Sequence, residues 1–199
     1  MIFVRTLPIS LFLMLLLLTS TADALQPRPF SGSGVVIIRP RNPENPVAPA
    51  PITFYRDPGV ARAAERPVAQ LPSLTAVLKM PVGEYLLAVM GKKGNWLRIA
   101  YDDAGREGWV ELARWWDYIT WEDFLKGRAA RFLPGLEKRS YMLRAASAIT
   151  APQTGALSGK EYLRIIEVAD DWVLVVTGSG LSGWLAWRDG DGRFLISID

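Results

Sequence analysis

The chain has 199 residues with no cysteine and no histidine, and its formal net charge is +3. Disulfides, Cys- or His-liganded zinc and Ser-His-Asp or Cys-His nucleophilic systems are therefore excluded, and no cofactor is expected. The mild basicity suits an anionic partner such as a cell-wall polymer, but it falls well short of a nucleic-acid footprint.

Residues 1–24 read as a secretory signal. Arg5 supplies the positive start, residues 7–18 are apolar apart from Pro8 and Ser10, and Ala22-Asp23-Ala24 is an A-x-A cleavage site. The apolar run is far shorter than the ~20 residues a bilayer span requires, so no stable membrane anchor is expected after cleavage. The product would be free in an exported compartment, periplasmic or extracellular. Residues 25–51 carry seven of the fourteen prolines and are expected to run extended as a spacer, with Val35 to Ile38 adding at most a strand at a sheet edge.

A first module is expected over residues 52–112. A short β-branched and aromatic run at residues 52–55 meets the turn Arg56-Asp57-Pro58-Gly59, and a long loop follows to about Leu74. Further strands are expected at residues 77–78, 85–89, 96–101 and 108–112. Residues 113–139 read as a helical connector. Thr120 and Asp123 have capping-box spacing, Trp121, Phe124, Leu125 and Phe132 fall at 0, +3, +4 and +11, and Pro134-Gly135 stops the run. A second module follows over residues 140–199, with strands at 141–144, 162–168, 172–177 and 183–187 and a last hairpin turning at Gly190-Asp191-Gly192.

The two modules repeat one frame. Gly94-Asn95-Trp96-Leu97-Arg98-Ile99 leading to Gly105-Arg106-Glu107-Gly108-Trp109-Val110 returns as Asp170-Asp171-Trp172-Val173-Leu174-Val175 leading to Gly180-Leu181-Ser182-Gly183-Trp184-Leu185. Trp96 and Trp172 are 76 residues apart, and Trp109 and Trp184 are 75 apart, so a single one-residue gap aligns the copies. Self-similarity of this kind predicts two copies of one small, mainly β unit.

These residues resemble the bacterial SH3-like (SH3b) domains, whose usual run ends in a tryptophan-led strand and a closing G-x-x-G-W-V. Pro81-Val82-Gly83 and Leu157-Ser158-Gly159 fit the preceding turns. The resemblance implies two small SH3-like β-barrels joined by a short α-helix, after the signal peptide and the Pro-rich segment. It also implies a non-catalytic tandem binding protein that contacts peptidoglycan or an envelope protein. Its ligand-binding residues would be Tyr55, Tyr85, Trp96, Trp109, Tyr162, Trp172 and Trp184, with the long first-module loop as a further contact surface.

Two other functions compete with this one. In a structural or assembly role, Trp115, Trp116 and Trp121 of the connector would form a partner-binding face instead of packing helix against barrel. In a carboxylate-dependent hydrolase, Asp102-Asp103 or Asp170-Asp171 would do the chemistry, although adjacent Asp residues ordinarily form solvated turns. Gly178-Ser179-Gly180-Leu181-Ser182-Gly183 satisfies G-x-G-x-x-G but leads into a strand, so it offers no helix N-terminus to a phosphate. Asp189-Gly190-Asp191-Gly192 opens like a calcium loop, but no twelfth-position Glu follows, which favours a hairpin turn.

Overall fold

Alternation decides which side of each strand is buried. In β5 (Trp96–Ala100) Leu97 and Ile99 are buried while Trp96, Arg98 and Ala100 face outward, and β12 (Trp172–Thr177) repeats this with Val173, Val175 and Thr177 inward. The computed structural model describes residues 28–40, 49–79 and 83–199; the expected signal segment, part of the Pro-rich spacer and Pro81-Val82 lie outside the described residues. Within them, fourteen strands form two antiparallel sheets of seven.

The first sheet contains β1 (Gly34–Ile38), β2 (Ile52–Asp57), β3 (Val60–Arg66), β4 (Tyr85–Lys93), β5, β6 (Glu107–Glu111) and β7 (Asp117–Thr120). The second contains β8 (Ala129–Phe132), β9 (Met142–Arg144), β10 (Gln153–Ala156), β11 (Leu163–Ala169), β12, β13 (Ser182–Ala186) and β14 (Ile196–Ile198). The spatial order β3-β2-β6-β5-β4-β1-β7 matches β10-β9-β13-β12-β11-β8-β14 term by term. The duplication therefore extends past the tryptophan frame: β1 corresponds to β8 and β7 to β14. Both sheets are open in the described residues, with β3 and β7 at the edges of one and β10 and β14 at the edges of the other.

Three expectations change. First, β1 is an interior strand, paired on one side with β4 and on the other with β7. Its run Gly34-Val35-Val36-Ile37-Ile38 is buried throughout, because Val36 and Ile38 enter one core and Val35 and Ile37 the other. Gly34 is required there: a Cβ would lie 2.6 Å from the Ile119 carbonyl oxygen.

Second, the connector is helical only in α1 (Trp121–Leu125), where Thr120 Oγ1 accepts the Asp123 N–H at 3.3 Å. Gly127, at φ 79°, ends the helix and its N–H turns to the Ile165 carbonyl, after which the chain enters β8. Phe132 satisfied the helical spacing, but it also alternates with Ala130 on one face of β8. The connector thus supplies β7 to one sheet and β8 to the other and is not a separate unit.

Third, the long loop of the first module is in large part β3, which pairs with β2 as a hairpin turning at Pro58-Gly59. None of its side chains is fully buried, so the backbone ladder alone defines it and no apolar alternation marked it in advance. The expected final hairpin forms, with Asp189 N–H donating to the Arg193 carbonyl at 2.9 Å and Leu195 N–H to Trp187 at 2.8 Å.

Two cores result. One lies within the first sheet and includes Val36, Ile38, Phe54, Leu87, Leu97, Ile99 and Val110. The other is shared: Val35, Ile37 and Leu86 of the first sheet meet Leu163, Ile165, Val173, Val175 and Leu185 of the second, with α1 contributing Trp121, Phe124 and Leu125. Backbone pairing reinforces that junction. Ser31 N–H donates to the Gly192 carbonyl at 2.9 Å, and Lys79 N–H donates to Ile198 at 3.0 Å beside the Leu78–Ile198 bridge. No helix of the described residues is long and apolar enough to cross a membrane.

Candidate ligand groove

Leu143, Val173 and Leu185 point into the shared core, so strand alternation sends Met142, Arg144, Trp172 and Ala186 to the opposite face of the second sheet. There they line a groove of about 540 Å³, walled by residues 135–140, by Ile149 and by the 188–190 turn, with Arg28 entering from the N-terminal side. Cavities of roughly 300–1,000 Å³ hold small ligands.

Four arginines (Arg28, Arg139, Arg144, Arg188) and three carboxylates (Glu137, Asp171, Asp189) line the groove, leaving one positive charge in excess. Three of the arginines are matched: Arg28 Nη2 to Asp189 Oδ2 at 2.6 Å, Arg188 Nε to Asp171 Oδ1, and Arg139 Nε to Glu137 Oε2 at 2.9 Å. Arg188 also donates through Nη1 to the Gly32 carbonyl at 2.8 Å and to Ser31 Oγ at 3.1 Å, which fastens the N-terminal segment beneath the groove. Burial pushes the Asp189 carboxyl up, but the Arg193 backbone N–H and the Arg28 guanidinium outweigh this and hold it below its ordinary value.

Arg144 is the unmatched one. It is only 8 % exposed, no carboxylate lies within ion-pair distance among the described residues, and its hydrogen bond runs from Nη1 to the Ala151 carbonyl at 2.9 Å. Its Cζ stands 6.0 Å from the Trp172 ring centroid. Trp172 is half-buried and lines the groove.

The other expected residues are dispersed. Trp184 shares the outward face, opposite Leu174 and Arg144, but lies outside the groove lining. On the first sheet, Tyr55 and Trp96 meet edge to face at 5.5 Å, and Tyr55 pairs in register with Trp109. Arg98 lies 6.0 Å over Trp109 and is bound to Glu107 at 3.2 Å. Tyr85 packs on the first core. Tyr162 is 61 % exposed with Arg131 stacked 4.7 Å from its ring.

The connector tryptophans separate as well. Trp115 is 45 % exposed, whereas Trp116 packs on the first core. Trp121 cannot present itself to a partner. It is 4 % exposed, donates Nε1–H to the Ser31 carbonyl at 2.9 Å, and packs between Trp187 at 5.5 Å and Phe194 at 5.1 Å.

In both aspartate pairs one carboxylate is engaged by an arginine. Asp102 is held by Arg106 at 2.6 Å; burial raises its carboxyl, and hydrogen bonds from Arg106 and the Ala104 backbone bring it below the ordinary value. Asp170 adopts φ 50° and its carbonyl accepts Trp187 Nε1–H at 2.8 Å, while Asp171 serves Arg188. Sequence reasoning reached Trp172 through the repeat and missed Arg28, Arg144 and Arg188. The only advance sign of Arg144 was a charge following the core residue Leu143 on a short strand, and several of its groove neighbours, Trp172, Arg188 and Arg28 among them, come from distant segments. No protein-family model matches the chain, and no curated protein is significantly similar to it.

Proposed function

We propose that the protein is a non-catalytic, exported binding protein built of two SH3-like units, and that its second unit seats peptidoglycan in the groove over Trp172. The observation that carries this reading is the groove itself: a half-buried indole lining a cavity of ligand size, with Arg144 over its ring and three further arginines in the lining. An indole offers a flat apolar surface to the face of a sugar ring, and guanidinium groups suit the acidic groups of such a polymer. The groove carboxylates are each engaged by an arginine, which suits a structural role for them and leaves no poised acid and base. The matching strand order of the two sheets supports the duplicated unit.

Sedimentation with purified peptidoglycan tests the reading. The protein is expected in the pellet, and Trp172→Ala is expected to bind about ten-fold more weakly, ~1.4 kcal/mol, with an unchanged melting temperature. Trp96→Ala, on the first sheet, is expected to bind like the parent. A parent protein that stays in the supernatant, or equal retention of Trp172→Ala, refutes the assignment.

A further inference from the structure

Resting on that reading of the groove, we infer that its ligand is a sugar carrying a single carboxylate, and that Arg144 is the residue that recognises the carboxylate. A guanidinium taken out of water is costly unless a counter-charge and hydrogen bonds replace the lost hydration. Every other arginine of the groove has its carboxylate; Arg144, the most buried of them, has one hydrogen bond, to the Ala151 carbonyl, and the Trp172 ring beneath it. Arg144 lines the groove, and none of its nitrogens is both sealed from solvent and unbonded. The planar fork of an arginine matches the two oxygens of a carboxylate, and a desolvated site strengthens that pairing.

The charge count sets the valence. Four arginines against three carboxylates leave one positive charge, which a monoanion neutralises. A doubly charged phosphate would need a second free cation or would have to displace Asp171, Asp189 or Glu137. Trp172 sets the shape: the Arg144 Cζ lies 6.0 Å over its ring centroid, so a ligand whose carboxylate meets Arg144 has its body beside the indole. Carboxylate and ring face must therefore belong to one compact molecule.

Ligand-observed NMR titration of the whole protein with N-acetylmuramic acid, N-acetylglucosamine and inorganic phosphate tests this. The acidic sugar is expected to bind about 10- to 100-fold more tightly than the neutral one, the range of a charge-assisted hydrogen bond. Arg144→Leu removes that difference between the two sugars. Ala186→Glu also removes the preference while keeping Arg144 and its Ala151 bond, because it places a competing carboxylate in the groove; it covers the case in which Arg144→Leu does not fold. Equal affinities for the two sugars, a preference that survives Ala186→Glu, or tightest binding of phosphate would each overturn the inference. Peptidoglycan sedimentation distinguishes the two levels. Retention with equal sugar affinities removes the carboxylate assignment alone, and loss of retention removes the binding reading beneath it.

Discussion

Replacing Trp121 asks whether the two sheets stand or fall together. The indole is buried between them, touching Phe124, Trp187 and Phe194, and its Nε1–H satisfies the Ser31 carbonyl. Truncation to alanine removes a large apolar side chain, at ~3–5 kcal/mol, and orphans a buried carbonyl, at ~1–3 kcal/mol. The combined loss, about 4–8 kcal/mol, is comparable to the whole stability of many proteins of this size. Trp121→Phe isolates the polar share: the ring contacts largely persist and the hydrogen bond is lost, so about 2 kcal/mol and a fall in melting temperature of about 4–8 °C are expected. Calorimetry with parallel near-UV circular dichroism reads both variants. A single transition that moves down as a unit is expected, because Trp121 belongs to the core that both sheets share. Two resolved transitions, one at the parent temperature, would refute the shared core.

Gly108→Ala forces a Cβ to within 2.8 Å of Phe54 Cβ and is expected to cost about 1–3 kcal/mol in urea denaturation, whereas Gly178→Ala, with open space around it, stays within about 0.5 kcal/mol of the parent. Thr120→Ala removes the cap of α1 and is expected to cost about 1 kcal/mol in the same assay. Acid should loosen the seam between residues 28–32 and the second sheet. The Asp189 carboxyl is held below its ordinary 3.8, so its contribution is complete above that value and disappears as the pH falls through its folded-state pKa. The urea midpoint is expected to drop between pH 6 and pH 3, and to drop less in Asp189→Asn; an identical decline in both proteins would assign the acid sensitivity to other carboxyls.

Local pattern revealed the strands that bury one face. Trp172 to Thr177 is β12 residue for residue, and the expected strands around Trp96, Gly108 and Gly183 lie within a residue or two of β5, β6 and β13. Where both faces are buried or neither is, alternation disappears and the sequence is silent. Gly34-Val35-Val36-Ile37-Ile38 is apolar throughout because it serves two cores, and β3 mixes valine and alanine with charged residues without alternation because only Ala64 packs on a core. The connector misled for a different reason: Trp121, Phe124 and Leu125 are truly helical, and Phe132 fits either period, so Gly127 was the decisive residue. At the groove, one strand residue, Trp172, was legible from the repeat. Arg144, Arg188 and Arg28 become neighbours only through sheet order and a segment that crosses from one sheet to the other, neither of which is written in local spacing.

The first described residues also set the order in which this protein can be completed. β1 leaves the ribosome before any of its partners, then must wait for β4, some fifty residues later, and for β7, about eighty later, before both of its edges are filled. Its leading segment waits longer still, since residues 29–32 bond to Gly192 and Phe194 almost at the end of the chain. The earliest strand thus has both edges paired only once the first sheet is complete. Until β4 and β7 have both emerged, a five-residue run of valine, isoleucine and glycine remains uncovered, the kind of segment from which self-association during folding starts.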